Sequence, residues 1–95
     1  MLAAVYILTN IGNTVLYTGS TTDLGRRMEE HLLKPWSFAF TARYKCTKLV
    51  WYDVCEDLGS VREMEKKIKG WTRVKKIALI EAQNPKWEDL RDEVF

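Results

Sequence analysis

Ala3-Ala4-Val5-Tyr6-Ile7-Leu8-Thr9 and Val15-Leu16-Tyr17-Thr18-Gly19 are two short apolar runs separated by the turn cluster Asn10-Ile11-Gly12-Asn13. Apolar runs bounded by Gly and Asn read as the strands of a β-hairpin. A two-residue loop at Ile11-Gly12 would pair Tyr6 with Tyr17. Because side chains alternate faces along a strand, any register of that parity puts both phenols on one side of the sheet. Two core aromatics stabilising a hairpin by roughly 0.2–1 kcal/mol would look the same, so the pair alone does not decide a function.

The next segment, Ser20 to Leu32, reads as a helix. Thr21 or Thr22 is the expected N-cap, Asp23 suits the positive end of the dipole, and Leu24, Met28 and Leu32 form an i, i+4, i+8 apolar stripe. Arg27 and His31 lie four apart beside that stripe, at the boundary between core and water.

Val5-Tyr6-Ile7, Tyr17-Thr18-Gly19 and Arg27, at intervals of about ten residues, resemble the GIY-YIG nuclease domain. The resemblance runs from Leu2 to Trp87. It is nearest to small stand-alone bacterial members, similar to the N-terminal nuclease domain of the repair excinuclease, with DNA repair as one expected setting. The block from Glu65 to Glu81, with Lys69-Gly70-Trp71 at its heart, is especially similar. The two tyrosines alone are weakly specific; with Arg27 and this block the pattern is strong. Ala4 stands in place of the first motif's glycine and Thr18 in place of the second's isoleucine. Ser20 occupies a position where repair-type relatives often carry lysine. Ile77 lies near the place of an asparagine found in several relatives, and Asn84 is too far along to be assigned that part.

Composition fits one domain over residues 1–95. The chain is 46% apolar with four tryptophans, enough for a modest independent core. No stretch approaches the roughly 20 apolar residues that span a bilayer. A secretory signal is not expected, since the uncharged first 22 residues lack a basic region and are broken by Thr9, Asn10, Gly12 and Asn13. The cytoplasm is the expected location. Cys46 and Cys55 lack metal-type spacing and read as packing residues at a strand.

The net charge is +2 but unevenly spread. Residues 62–76 hold seven Lys/Arg against Glu63 and Glu65, a local +5, and residues 81–95 hold two against five acids, a local −3. A basic segment attracts a phosphate backbone by counterion release, although a lysine run on a helix is as a rule a solvated face. Between Leu33 and Lys45 no period is sustained. There Pro35, Trp36, Phe38, Phe40, Arg43 and Tyr44 either cap the core or stack on bases, with Arg43 and Lys45 meeting phosphates. Cys46 to Val54, apolar on both sides around Leu49-Val50-Trp51-Tyr52, reads as a third strand covered on both faces.

A second helix is expected to start at Ser60 with a Ser60/Glu63 capping box, bury Val61, Met64 or Glu65, Ile68 and Trp71, and stop at Gly70. Glu65 is its odd member. A carboxylate on the core-facing side must be paired or ligated, and an i, i+4 ion pair with Lys69 is the plain alternative to a metal ligand. Thr72 caps a third helix with Val74, Ile77, Ala78 and Glu81 on one side, ending before Asn84-Pro85. Trp87, Leu90 and Val94 suggest a short terminal helix. The expected fold is α+β, a three-stranded antiparallel sheet flanked by helices in the order β-β-α-β-α-α.

The resemblance implies a metal-dependent endonuclease hydrolysing phosphodiester bonds in DNA. It assigns the water-activating base to Tyr6, positioning of water or phosphate to Tyr17, phosphate contact to Arg27, a proton relay or phosphate contact to His31, and one Mg²⁺ (or Mn²⁺) to Glu65. A neighbouring cation lowers a phenol's pKa enough for that part. One carboxylate implies weak metal binding without substrate. Arg26, Arg43, Tyr44, Lys66, Lys69 and Arg73 are the candidate nucleic-acid contacts. A single small domain leaves room for a partner protein or homodimer to supply specificity. The competing reading is a nucleic-acid-binding or protein-interaction module on the same scaffold with little cleavage.

Overall fold

The computed structural model describes residues 2–33 and 39–94. Its elements are β1 (Ala3–Thr9), β2 (Leu16–Thr21), α1 (Leu24–Leu33), α2 (Ala39–Tyr44), β3 (Lys48–Cys55), α3 (Leu58–Lys69), α4 (Arg73–Gln83) and a terminal 3-10 helix (Arg91–Glu93). The three strands form one antiparallel sheet in the order β2-β1-β3, as the apolar runs predict. With helices on both of its faces, the fold is of the expected α+β class.

Pleating divides the core in two. Ala3, Val5 and Ile7 of β1 join Val50, Trp51, Val61, Ile68 and Ile80 on the α3/α4 side. Ala4, Tyr6 and Leu8 join Leu24, Met28, Cys46 and Leu49 on the α1 side. The central strand is buried throughout, which its unbroken apolar run requires. A bulge opposite Ile7/Leu8, where Ile7 pairs with Trp51 and Leu8 with Leu49, skips Val50 and lets Val50 and Trp51 both serve the first cluster.

The hairpin differs from the two-residue expectation. Thr9 pairs with Leu16, so the loop runs from residue 10 to 15 and the register moves by two residues. The Asn10 side chain builds it, its Oδ1 accepting from the amides of Thr14 (2.8 Å) and Val15 (3.1 Å), while Asn13 takes a left-handed φ of 57°. Tyr6 therefore faces Gly19 and Leu8 faces Tyr17. An even shift keeps both phenols on one side.

Helix details are corrected too. Asp23 caps α1, its Oδ1 accepting from the Arg26 amide at 3.1 Å, and Thr21 instead accepts from the Asp23 amide. The buried positions are Leu24, Met28 and His31, with Leu32 46% exposed. At 3.6 residues per turn the stripe returns at i+7 rather than i+8. Asp57 caps α3 through the Gly59 amide and the Ser60 hydroxyl, so the Ser60/Glu63 box does not form and Glu63 is exposed. Val61 and Ile68 are its buried residues, while Met64 is exposed. Thr72 caps α4 as expected, yet Ile80 is the residue it buries; Val74 and Ala78 face water. Cys46 is buried, but Cys55 at the end of β3 is exposed and does no packing work. The aperiodic connection contains α2, too short for a periodicity window; Pro35, Trp36 and Phe38 lie outside the described residues.

The terminal segment is a short 3-10 helix rather than an α-helix, with Trp87 packed on the first cluster and Leu90 and Val94 on the second. Asn84 anchors it, donating from Nδ2 to the carbonyls of Val50 (3.0 Å) and Glu88 (2.8 Å) and accepting from the Glu88 amide (3.0 Å). Asn84 is thereby a structural residue. Asn84→Ala is expected to cost about 2–4 kcal/mol by orphaning these buried partners; a urea unfolding midpoint lowered by less than about 1 kcal/mol equivalent would contradict that part.

Candidate active site

Tyr6 is fully buried, and its ring leans across Gly19 on the neighbouring strand. A Cβ at residue 19 would lie 2.6 Å from the Tyr6 hydroxyl and 2.7 Å from Cζ, so only glycine permits this approach. The ring thus crosses the outermost strand. Tyr17 lies beside it, with ring centroids 6.3 Å apart, and His31 of α1 sets its imidazole edge-on to both, at 6.1 Å from Tyr6 and 5.8 Å from Tyr17.

The imidazole is held at both nitrogens. Nε2 lies 3.3 Å from the Tyr6 hydroxyl and Nδ1 lies 3.1 Å from Oγ1 of Thr41 in α2. Both His31 and Thr41 are 3% exposed. Burial, with the Arg27 guanidinium next in effect, lowers the His31 pKa to about 4. Burial, reinforced by the neighbouring Tyr17 and opposed by Arg27, pushes the Tyr6 phenol well above its usual range. At neutral pH the pair is a protonated phenol beside a neutral imidazole. The expected cation effect on Tyr6 is present through Arg27, but desolvation outweighs it. Arg27 is half-buried next to these rings and also ion-pairs with Glu30 at 3.6 Å.

Glu65 reaches the site from the opposite face of the sheet. Ser20, whose β1 partner is Val5 of the α3-side cluster, donates its hydroxyl to Glu65 Oε1. Lys69 Nζ lies 2.6 Å from Oε2, so the i, i+4 pair that the spacing allows is formed. Burial would raise the carboxyl, but Lys69 and Ser20 together hold it below the ordinary glutamate range. It is ionised at neutral pH. Its partner Ser20 directly follows, on the edge strand β2, the glycine over which the Tyr6 hydroxyl lies.

Of the other expected contacts, Arg26, Arg43, Tyr44, Lys66, Lys69 and Arg73 are all exposed. Lys69 is engaged by Glu65, Arg43 lies over the Tyr44 ring at 5.5 Å, and Arg73 donates to the Asn13 carbonyl at 3.1 Å. Lys75, stacked 4.4 Å from the Trp71 ring, extends that basic side. Thr41 escapes a sequence reading because it sits in an aperiodic stretch, and the Ser20 contact escapes it because a lone serine carries no signal of its partner.

The GIY-YIG catalytic domain model matches residues 2–78 of the chain. The chain belongs to the GIY-YIG family. A UPF0213 protein of Syntrophus aciditrophicus (strain SB) is 35% identical over 81 residues, covering 85% of this chain and 91% of that protein. The solution NMR structure of a UPF0213 protein from Bacillus halodurans superposes with a TM-score of 0.57 at 27% identity, over 94% of this chain and 93% of that one. The departures from the family motif are accommodated: Ala4 and Thr18 are buried, with the tyrosines in place. No helix among the described residues is long and apolar enough to cross a membrane.

A metal's fit can be judged from the donors. No group of three or more His, Cys, Asp or Glu converges among the described residues, so the site does not resemble a closed protein cage. A single ionised carboxylate suits Mg²⁺, which keeps most of its waters and takes substrate oxygens. Lys69, 54% exposed, holds the place of a cation on Oε2 and has room to turn away.

The chain has one histidine, which makes its titration easy to isolate. With a folded pKa of about 4 against the ordinary 6.5, the unfolded chain binds more protons between those values. His31 therefore contributes stability that is present above pH 6.5 and is lost as pH falls toward 4. An NMR titration should show the imidazole neutral down to about pH 5; a midpoint near 6.5 would contradict the buried, doubly held ring.

Proposed function

We propose that this GIY-YIG domain is a metal-dependent endonuclease that hydrolyses phosphodiester bonds in DNA. The observation that supports the reading is a Tyr6–His31 pair beside Arg27, with the Tyr6 hydroxyl laid over Gly19, and an ionised Glu65 bonded to the next residue of that strand, Ser20. A binding surface has no need of an anion beside phosphate.

Hydrolysis by water requires removing a proton from the nucleophile, neutralising phosphoryl oxygens and stabilising the leaving alkoxide. A phenol that stays protonated is a poor base by itself. Hydrogen-bonded to a neutral imidazole, it works as a relay: the Tyr6 oxygen takes the water proton as its own proton moves to His31 Nε2. Approach of an anionic phosphate raises the imidazole's basicity and favours that transfer. Tyr17, half-exposed beside Tyr6, orients the water or a phosphate oxygen. The Arg27 guanidinium, exchanging Glu30 for substrate, offers forked donors to the phosphoryl oxygens. Glu65 would hold Mg²⁺ or Mn²⁺, whose charge, when bound, stabilises the leaving oxygen. Arg26, Arg43, Tyr44, Lys66 and Arg73, joined by Lys69 once released, and by Lys75, contact the backbone of the DNA. The second reading, a nucleic-acid-binding module with little cleavage, draws support from the Lys69 ammonium already seated on Glu65.

Purified protein with Mg²⁺ or Mn²⁺ is expected to nick plasmid DNA, and Glu65→Gln and Arg27→Ala each to lower the rate by about 100-fold or more with unchanged thermal unfolding. Equal cleavage by all three proteins would mark the activity as a contaminant and favour the binding module. Single-stranded, duplex and branched substrates compared in the same assay define the preferred structure.

A further inference from the structure

The Tyr6–His31–Thr41 chain can be ordered in two opposite directions. In one, Tyr6 donates to Nε2 and Nδ1–H donates to the threonine oxygen; in the other, Thr41 donates to Nδ1 and Nε2–H points at the phenol oxygen. Only the first leaves the phenol oxygen free of a donor from the imidazole and Nε2 ready to accept a proton.

We propose that Thr41 is a positioning residue that fixes His31 in the Nδ1–H tautomer, so that the Tyr6 hydroxyl is aimed for proton removal. Three observations support it. Thr41 Oγ1 lies 3.1 Å from Nδ1, within range of a normal hydrogen bond. Both side chains are 3% exposed, which leaves little water to compete for the ring nitrogens. The hydroxyl comes from α2, an element separate from the helix that carries His31, and the Cys46 amide bonds the Thr41 carbonyl at 2.9 Å to tie it to the start of β3. The tautomer of a neutral histidine is set by the hydrogen bond its other nitrogen makes. The phenol, which keeps its proton, can donate to Nε2, as this tautomer requires.

This inference rests on the proposed relay for its purpose, but its physical content does not depend on cleavage. The test is the ¹⁵N spectrum of His31 in wild type, Thr41→Val and Thr41→Ser, run beside the nicking assay. Expected are a protonated Nδ1 and bare Nε2 in wild type, a shift toward Nε2–H in Thr41→Val, and return of the wild-type pattern in Thr41→Ser. Cleavage is expected to fall about 10-fold in kcat with little change in KM for Thr41→Val and to recover in Thr41→Ser. An Nε2–H tautomer in wild type, or an unchanged tautomer in Thr41→Val, overturns the proposal. The wild-type pattern with no cleavage by any protein would overturn the nuclease reading and leave the tautomer assignment standing. Loss of cleavage in Thr41→Val with an unchanged ¹⁵N pattern would assign Thr41 a packing role instead.

Discussion

The close approach of Tyr6 to Gly19 governs the rest of the site. A buried aromatic on the central strand can reach the rim of the sheet only by crossing its neighbour, and it can cross only where that neighbour has no side chain. With the ring lying over residue 19, its hydroxyl is carried from the α1 side of the core to the edge of β2. Glu65, rooted on the other side of the sheet, is bonded to Ser20, the next residue along that strand. Register follows from the same contact. An Asn10-organised loop longer than a tight turn sets glycine, and not tyrosine, opposite Tyr6. Direct pairing of two tyrosines would leave no room for the Tyr6 ring to lie over the neighbouring strand.

Electrostatics around that contact keep two kinds of group apart. The Tyr6–His31 pair is desolvated, so both partners rest neutral, the phenol protonated beside an uncharged imidazole. Glu65 is less enclosed and has an ammonium and a hydroxyl as partners, so its charge persists. Arg27 stands between solvent and the neutral pair, tethered to Glu30 by a contact loose enough to exchange.

Much of this is legible in the chain. The three strands, the shared face of Tyr6 and Tyr17, the caps at Thr72 and Gly70, and the i, i+4 relation of Glu65 and Lys69 follow from alternation, helical spacing and turn chemistry. The departures have identifiable reasons. Asn10 converts a tight turn into a longer loop through side-chain bonds that composition does not announce. An i+4 rule repeated twice drifts from the helical period, which is why it puts Leu32 inside and His31 at the boundary when the structure does the reverse. Asp57 and Ser60 are both cap formers, and α3 begins at Leu58, which makes Asp57 the cap. The contacts of Thr41 and Ser20 are long-range, made by a short helix and an edge strand, and no local pattern encodes them.

The central claim is that one phosphate can be addressed at once from both faces of the sheet at the Gly19 edge. A crystal structure of the Glu65→Gln protein with a DNA duplex and Mg²⁺ tests it most directly. The account predicts a phosphodiester over Gly19, its oxygens bonded by Arg27 and the Tyr17 hydroxyl and residue 65 within reach across the strand. DNA lying only along the basic side of α3 and α4, with nothing beside Tyr6, would contradict it.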